Sequence, residues 1–162
     1  MHPNFSRWFL AIAFFASGTV HAECTYDESV QLKRILSLAQ QVNGRIGAGG
    51  HSVRWREGAS TFEVIYGGCD HLGHTVTRES PASNALAEPE LLIVAMRLAQ
   101  QQWTADEAAM LRDALREQRY TRSQNDGQIV FNLAVPDYFE FAITQQHAHG
   151  VERVSVRWAR NF

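Results

Sequence analysis

The chain has 162 residues, 45% of them hydrophobic and 20% charged, enough apolar material for one packed core and too much for wholesale disorder. Its 15 Lys+Arg stand against 17 Asp+Glu, a formal charge of −2. A general nucleic-acid binder would show a basic footprint, so nucleic acid is not an expected partner.

Residues 1–22 read as a cleaved secretory signal peptide, and residues 23–162 as a single globular domain. Arg7 and the α-amino group form a positive end, Trp8 to Ala16 an apolar stretch, and Val20-His21-Ala22 supplies the small residues a signal peptidase inspects. The stretch is shorter than the roughly 20 apolar residues of a membrane span, so no anchor is expected after cleavage. Lipid attachment at Cys24 is disfavoured because Glu23 precedes it where a small residue is needed. Lys33 is the single lysine beside 14 arginines, a bias of GC-rich bacterial genomes that makes the periplasm, or secretion, the expected address.

After the signal, Cys24 and Cys69 are the only cysteines, and in an oxidising compartment a pair defaults to one disulfide. The alternative, a catalytic Cys69 thiolate beside His71, needs a free thiol where thiols are oxidised and leaves Cys24 unexplained.

Thr25-Tyr26-Asp27-Glu28 fits a capping box, and Leu32, Ile35, Leu36, Ala39 and Val42 recur behind it at helical spacing up to Asn43-Gly44. Residues 44–50 are glycine punctuation, read as a flexible connection. Val53 and Trp55, then Phe62, Val64 and Tyr66, alternate as two strands of a hairpin around Glu57-Gly58-Ala59-Ser60. His71 to Thr77 is a third strand that Gly73 weakens.

Residues 80–88 form a polar linker, and Pro89 opens a helix whose residues 91–99 are apolar nearly all round, predicting the most buried helix. Thr104-Ala105-Asp106-Glu107 caps another helix, with Ala108, Leu111 and Leu115 inward and Arg112, Asp113, Arg116, Glu117 and Arg119 solvated. Residues 123–127 break it. Ile129 to Val135 and Phe139 to Ile143 alternate around a Pro136-Asp137 turn, and Val154, Val156 and Trp158 form the last strand after a turn at residues 147–150. The predicted order is α-βββ-αα-βββ, an α+β fold with helices on one face of an antiparallel sheet. Ser52-Val53-Arg54-Trp55 recurs as Ser155-Val156-Arg157-Trp158; chance and shared strand composition explain one tetrapeptide better than a half-domain duplication does.

Of the five histidines after residue 22, four fall in two close pairs, His71 with His74 beside Asp70, and His147 with His149. If the pairs met they would offer three or four ligands to a transition metal, which makes a metal-binding protein one alternative function, a small periplasmic hydrolase being the other. Motifs for an esterase elbow, zinc protease, phosphate loop or dinucleotide site are absent, and no cofactor is called for. Carboxylates such as Glu63, Asp70, Asp137 and Glu140 can be paired on paper for hydrolysis, but among 17 acidic residues some pair always can.

Arg54 and Arg56, with Arg157 and Arg160, are expected on the solvent side of their strands, forming a guanidinium patch if those strands are neighbours. Trp55 and Trp158 read as core anchors. The loop of residues 67–74 is the leading local feature: a Cys69 disulfide would restrain it, and Asp70, His71, Leu72 and His74 would present charge, hydrogen bonds and one apolar contact. The expected function is therefore a non-catalytic, exported binding protein, an inhibitor or immunity protein acting on another protein such as a toxin or cell-wall-degrading enzyme. The expected binding residues are Asp70, His71, Leu72, His74, Arg54 and Arg56.

Overall fold

The computed structural model describes residues 28–67, 72–136 and 139–160. Its elements run α1 (Glu28–Gln41), β1 (Arg45–Ile46), β2 (Ser52–Glu57), β3 (Ser60–Tyr66), β4 (Leu72–Pro81), α2 (Glu88–Gln102), α3 (Ala105–Arg116), β5 (Tyr120–Asn125), β6 (Gln128–Leu133), β7 (Phe139–Ala148) and β8 (Val151–Arg160). The fold is α+β with one antiparallel sheet, as expected, but each half carries one strand more. The signal segment, the Thr25 capping box, Cys24, Cys69, Asp70, His71 and Asp137 lie outside the described residues.

Both extra strands have a local cause. Arg45 and Ile46 leave the glycine-rich stretch to pair with Arg54 and Val53, and Gly44 allows this because a Cβ there would stand 2.7 Å from the Val53 side chain. At the other edge, Asp126 and Gly127 both have positive φ, 48° and 75°, so the expected helix breaker is the two-residue turn of a β5–β6 hairpin. The run 120–125 escaped a strand reading because it is an exposed, polar edge with no apolar alternation.

The sheet order is β1-β2-β3-β4-β8-β7-β6-β5, with every pair antiparallel. Two four-stranded meanders thus meet along β4 and β8, which pair over ten residues from Leu72↔Arg160 to Pro81↔Val151. Gly73, expected to weaken its strand, is required by this seam: a Cβ there would collide with the Trp158 carbonyl oxygen and stand 2.7 Å from Ala159 Cα. The order reads alike from either edge, relating β2 to β6 and β4 to β8. The two Ser-Val-Arg-Trp copies lie on β2 and β8, which this relation does not equate, so the echo is no trace of the twofold order.

All three helices pack on one face. There Val53, Val64, Val76, Phe131, Phe141, Ile143, Val154 and Val156 are buried with Ile35 of α1, Leu91, Ala95, Leu98 and Ala99 of α2, and Leu111 and Ala114 of α3. The Thr104 capping box is present in both directions, Glu107 N to Thr104 Oγ1 at 3.3 Å and Thr104 N to Glu107 Oε2 at 2.9 Å. α2 differs from expectation: Ile93 is 54% exposed, because the sheet and α3 pack against other sides of this helix and among the described residues nothing covers this one.

The connection from β4 to α2 is latched to the sheet. Buried Glu152 accepts through Oε1 from Leu86 N at 3.2 Å and from Gln145 Nε2 at 2.6 Å, while Gln145 Nε2 also donates to Leu86 O at 2.9 Å. A ring nitrogen of His147 bonds Ala82 O at 3.1 Å. Glu152→Ala would take the shared acceptor from Leu86 N and from one amide hydrogen of buried Gln145, so its urea unfolding midpoint should fall by an amount worth about 1–3 kcal/mol, with Glu152→Gln losing less.

Candidate functional site

Strand periodicity gives the sheet a second face that no helix among the described residues covers. Across it run Arg45, Arg54, Glu63, Thr77, Ser155, Thr144 and Val130 in one register row, with Arg56, Thr61, Glu79, Arg153 and Gln146 in another and Ile65, Thr75, Arg157 and Ala142 in a third. Of the described residues on this face only Ala159 is buried. Five arginines, Arg45, Arg54, Arg56, Arg153 and Arg157, face three glutamates, Glu63, Glu79 and Glu140. Glu79 is bonded from both sides, by Arg54 Nη2 at 3.1 Å and by Arg153 Nε at 2.9 Å and Nη2, and Glu140 lies 3.6 Å from Arg157. Arg45 and Arg56 have no carboxylate partner among the described residues. Among the apolar side chains of this face, Ile65 at 43% exposure and Val151 at 41% are the large exposed ones among the described residues.

The expected site residues are thereby separated. Arg54 and Arg56 do stand on the uncovered face, but β3 and β4 lie between them and β8, so no continuous patch joins them to Arg157; Glu79 of β4 bridges Arg54 to Arg153 instead. Arg160 is three residues from Arg157 and so points to the opposite face, its guanidinium 5.9 Å from the centre of the Phe139 ring. His71 lies outside the described residues, and its pair-mate His74 does not meet the pair of His147 and His149. His74 is opposite Trp158 and His147 opposite Glu152, six residues apart along β8 or roughly 20 Å, and His149, with φ 52°, forms the β7–β8 turn beside Gly150. Among the described residues no three His, Cys, Asp or Glu side chains gather where one metal ion would reach them. Leu72 begins β4, and Gly67 N bonds Gly73 O at 2.8 Å across the mouth of the loop between them.

His74 is not at a loop tip. It stands on the helix side of β4 among rings: Tyr66 at 5.7 Å, Trp103 at 5.7 Å and Trp158 at 5.5 Å between centroids, with Phe139 and Phe141 behind them. Burial among these rings pushes its pKa down to about 4, Glu107 opposing and Arg34 reinforcing the shift, and burial raises Tyr66 against the pull of Arg34. His74 is therefore neutral at ordinary pH.

No protein-family model, curated protein or solved structure matches this chain.

Its chemistry is thus read from its own geometry. The uncovered face offers guanidinium groups, hydroxyls and amides on one sheet, side chains able to form hydrogen bonds and ion pairs. Sequence spacing found Arg54 and Arg56 there but missed Arg45 and Arg153, whose place on the face depends on β1 existing and on the β4–β8 register. The aromatic group around His74 carried no sequence signal, since its members come from β3, β4, β8 and the end of α2.

The buried imidazole sets a pH dependence. Above about pH 6.5 the ring is neutral in folded and unfolded chain alike; below it the unfolded chain takes up a proton that the folded one refuses until about pH 4. Stability should therefore fall as pH drops through this window, by on the order of 3 kcal/mol in full, and urea midpoints of His74→Phe should lose this component of the decline.

Proposed function

We propose that this chain is an exported binding protein without catalysis, holding another protein on the uncovered face of its sheet in the manner of an inhibitor or immunity protein of a toxin or cell-wall-degrading enzyme. The observation that carries the reading is charge segregation. The whole chain has a formal charge of −2, yet its one uncovered sheet face sets five arginines against three glutamates. The partner is accordingly an acidic protein surface, since complementary potentials steer encounter and fix register. Arginine with a few apolar side chains is also the composition that protein interfaces favour. Eight strands about 4.8 Å apart, roughly 20 Å long, present on the order of 700 Å2, close to the ~800 Å2 per partner of a standard interface.

Export and a Cys24–Cys69 disulfide belong to the same reading. Gln31 Nε2 donates to Gly67 O at 3.1 Å, which brings the first turns of α1 to the strand end two residues before Cys69. Such a bridge would stabilise the domain by about 2–4 kcal/mol. Intact-mass analysis of protein recovered from its host should find residues 1–22 gone and the two thiols joined; a retained leader or free thiols would remove the export and disulfide parts of the proposal.

The docking surface is tested by charge reversal. Chemical cross-linking in the host envelope fraction should join the chain to one acidic protein in stoichiometric yield. Arg56→Glu with Arg157→Glu should weaken the purified pair by at least about tenfold with circular dichroism unchanged, because both side chains are exposed. Affinity that is indifferent to both reversals, or a basic partner, would overturn it.

A further inference from the structure

A cleft of about 770 Å3 opens on the helix side of the sheet, between α1 and the corner where α2 meets α3. α2 lies over β4 and β8, and α1 over β1 and β2. Near His74 and Trp158 the helix layer leaves a gap. Tyr66, His74 and Trp158 floor it and are only partly buried, whereas Val64, Val76 and Val156, their neighbours on the same strands and face, are buried completely.

The rim is cationic. Lys33 and Arg34, both exposed on α1, line the cleft, and neither makes an ion pair among the described residues. Glu107 is the one carboxylate in the lining, and its Oε2 is engaged by Thr104 N. At the helix corner stands Trp103, 7% exposed, whose Nε1 has no acceptor among the described residues; the Nε1 of Trp158 has none there either, and Nε2 of His74 is likewise unpartnered. An indole N–H can only donate, and leaving one buried and unmet costs about 1–3 kcal/mol. The cleft thus holds unmet indole donors, and at its rim two cations stand against one carboxylate.

We propose that this cleft binds a small amphipathic organic anion, its apolar body against Tyr66, His74 and Trp158 and its carboxylate or equivalent oxyanion held by Lys33 and Arg34. The volume falls within the 300–1,000 Å3 usual for small-ligand sites. Guanidinium and ammonium groups at an apolar mouth form charge-assisted hydrogen bonds with an oxyanion and gain little from a neutral head. The site is on the opposite face of the sheet from the protein-docking surface, so either can fail alone.

The test titrates the purified protein with decanoate and with 4-phenylbutanoate, following tryptophan emission and heat. Saturable single-site binding of at least one anion is expected, with decanol and decyltrimethylammonium at least about tenfold weaker. Lys33→Glu with Arg34→Glu should raise the anion Kd by about tenfold or more without altering circular dichroism, while Arg56→Glu on the far face leaves it unchanged. Trp158→Phe should reduce the change in emission while binding heat persists, which places the ligand at the floor. Absence of saturable binding by both anions, equal binding of decanol, or an unchanged Kd in the double variant would overturn the proposal.

Discussion

The β4–β8 pairing is the constraint on which the rest of this molecule depends. Each half is a four-stranded meander whose last strand would otherwise leave a ten-residue row of backbone donors and acceptors open. Joining the two rows satisfies both at once. At the centre Val76 and Val156 are paired and fully buried on the helix side, and Thr77 Oγ1 meets Ser155 Oγ at 2.9 Å on the other. α2 lies across the seam with Ala95 and Ala99 against the sheet, small side chains that let the helix approach closely. The outer edges are blunt by contrast: β1 has two residues, and β5 is polar and exposed.

From this seam the two faces acquire different solvents. Strand periodicity sends Val53, Trp55, Phe62, Val64, Val154 and Val156 under the helices and Arg54, Arg56, Glu63, Arg153 and Arg157 out to water. Charge is therefore sorted by face and not along the chain, and the arginines of β1, β2 and β8 come to share one surface although they are far apart in sequence. Surface ion pairs such as Arg54–Glu79 add little stability. Their consequence is to hold guanidinium groups in place on a stiff scaffold.

The helix layer is incomplete, and the gap has chemical content. Rings from β3, β8 and the C-terminal end of α2 surround His74 closely enough to keep it uncharged, while Lys33 and Arg34 stand above without carboxylate partners among the described residues. A neutral aromatic floor beneath a positive rim arises because α1 and the α2–α3 corner do not close over the end of the seam.

The helices, the six main strands and the inward-facing side chains of those strands were legible in the sequence, because periods of 3.6 and 2 and the Thr104–Glu107 capping box are local properties written in consecutive residues, whereas Leu32 and Leu36 of α1 turn out exposed and Leu38 is buried instead. β1 and β5 were not, since a two-residue strand and a polar edge strand have no apolar alternation to read. Of the expected site, Arg54 and Arg56 stand on the uncovered face, whereas Arg160 points the other way and His74 is enclosed by rings. Whether His74 met His147, whether Arg54 neighboured Arg153 or Arg157, and which rings enclosed the imidazole were decided only by the strand order and the β4–β8 register. Those depend on pairing between residues about 80 positions apart, for which side-chain spacing along one strand carries no information.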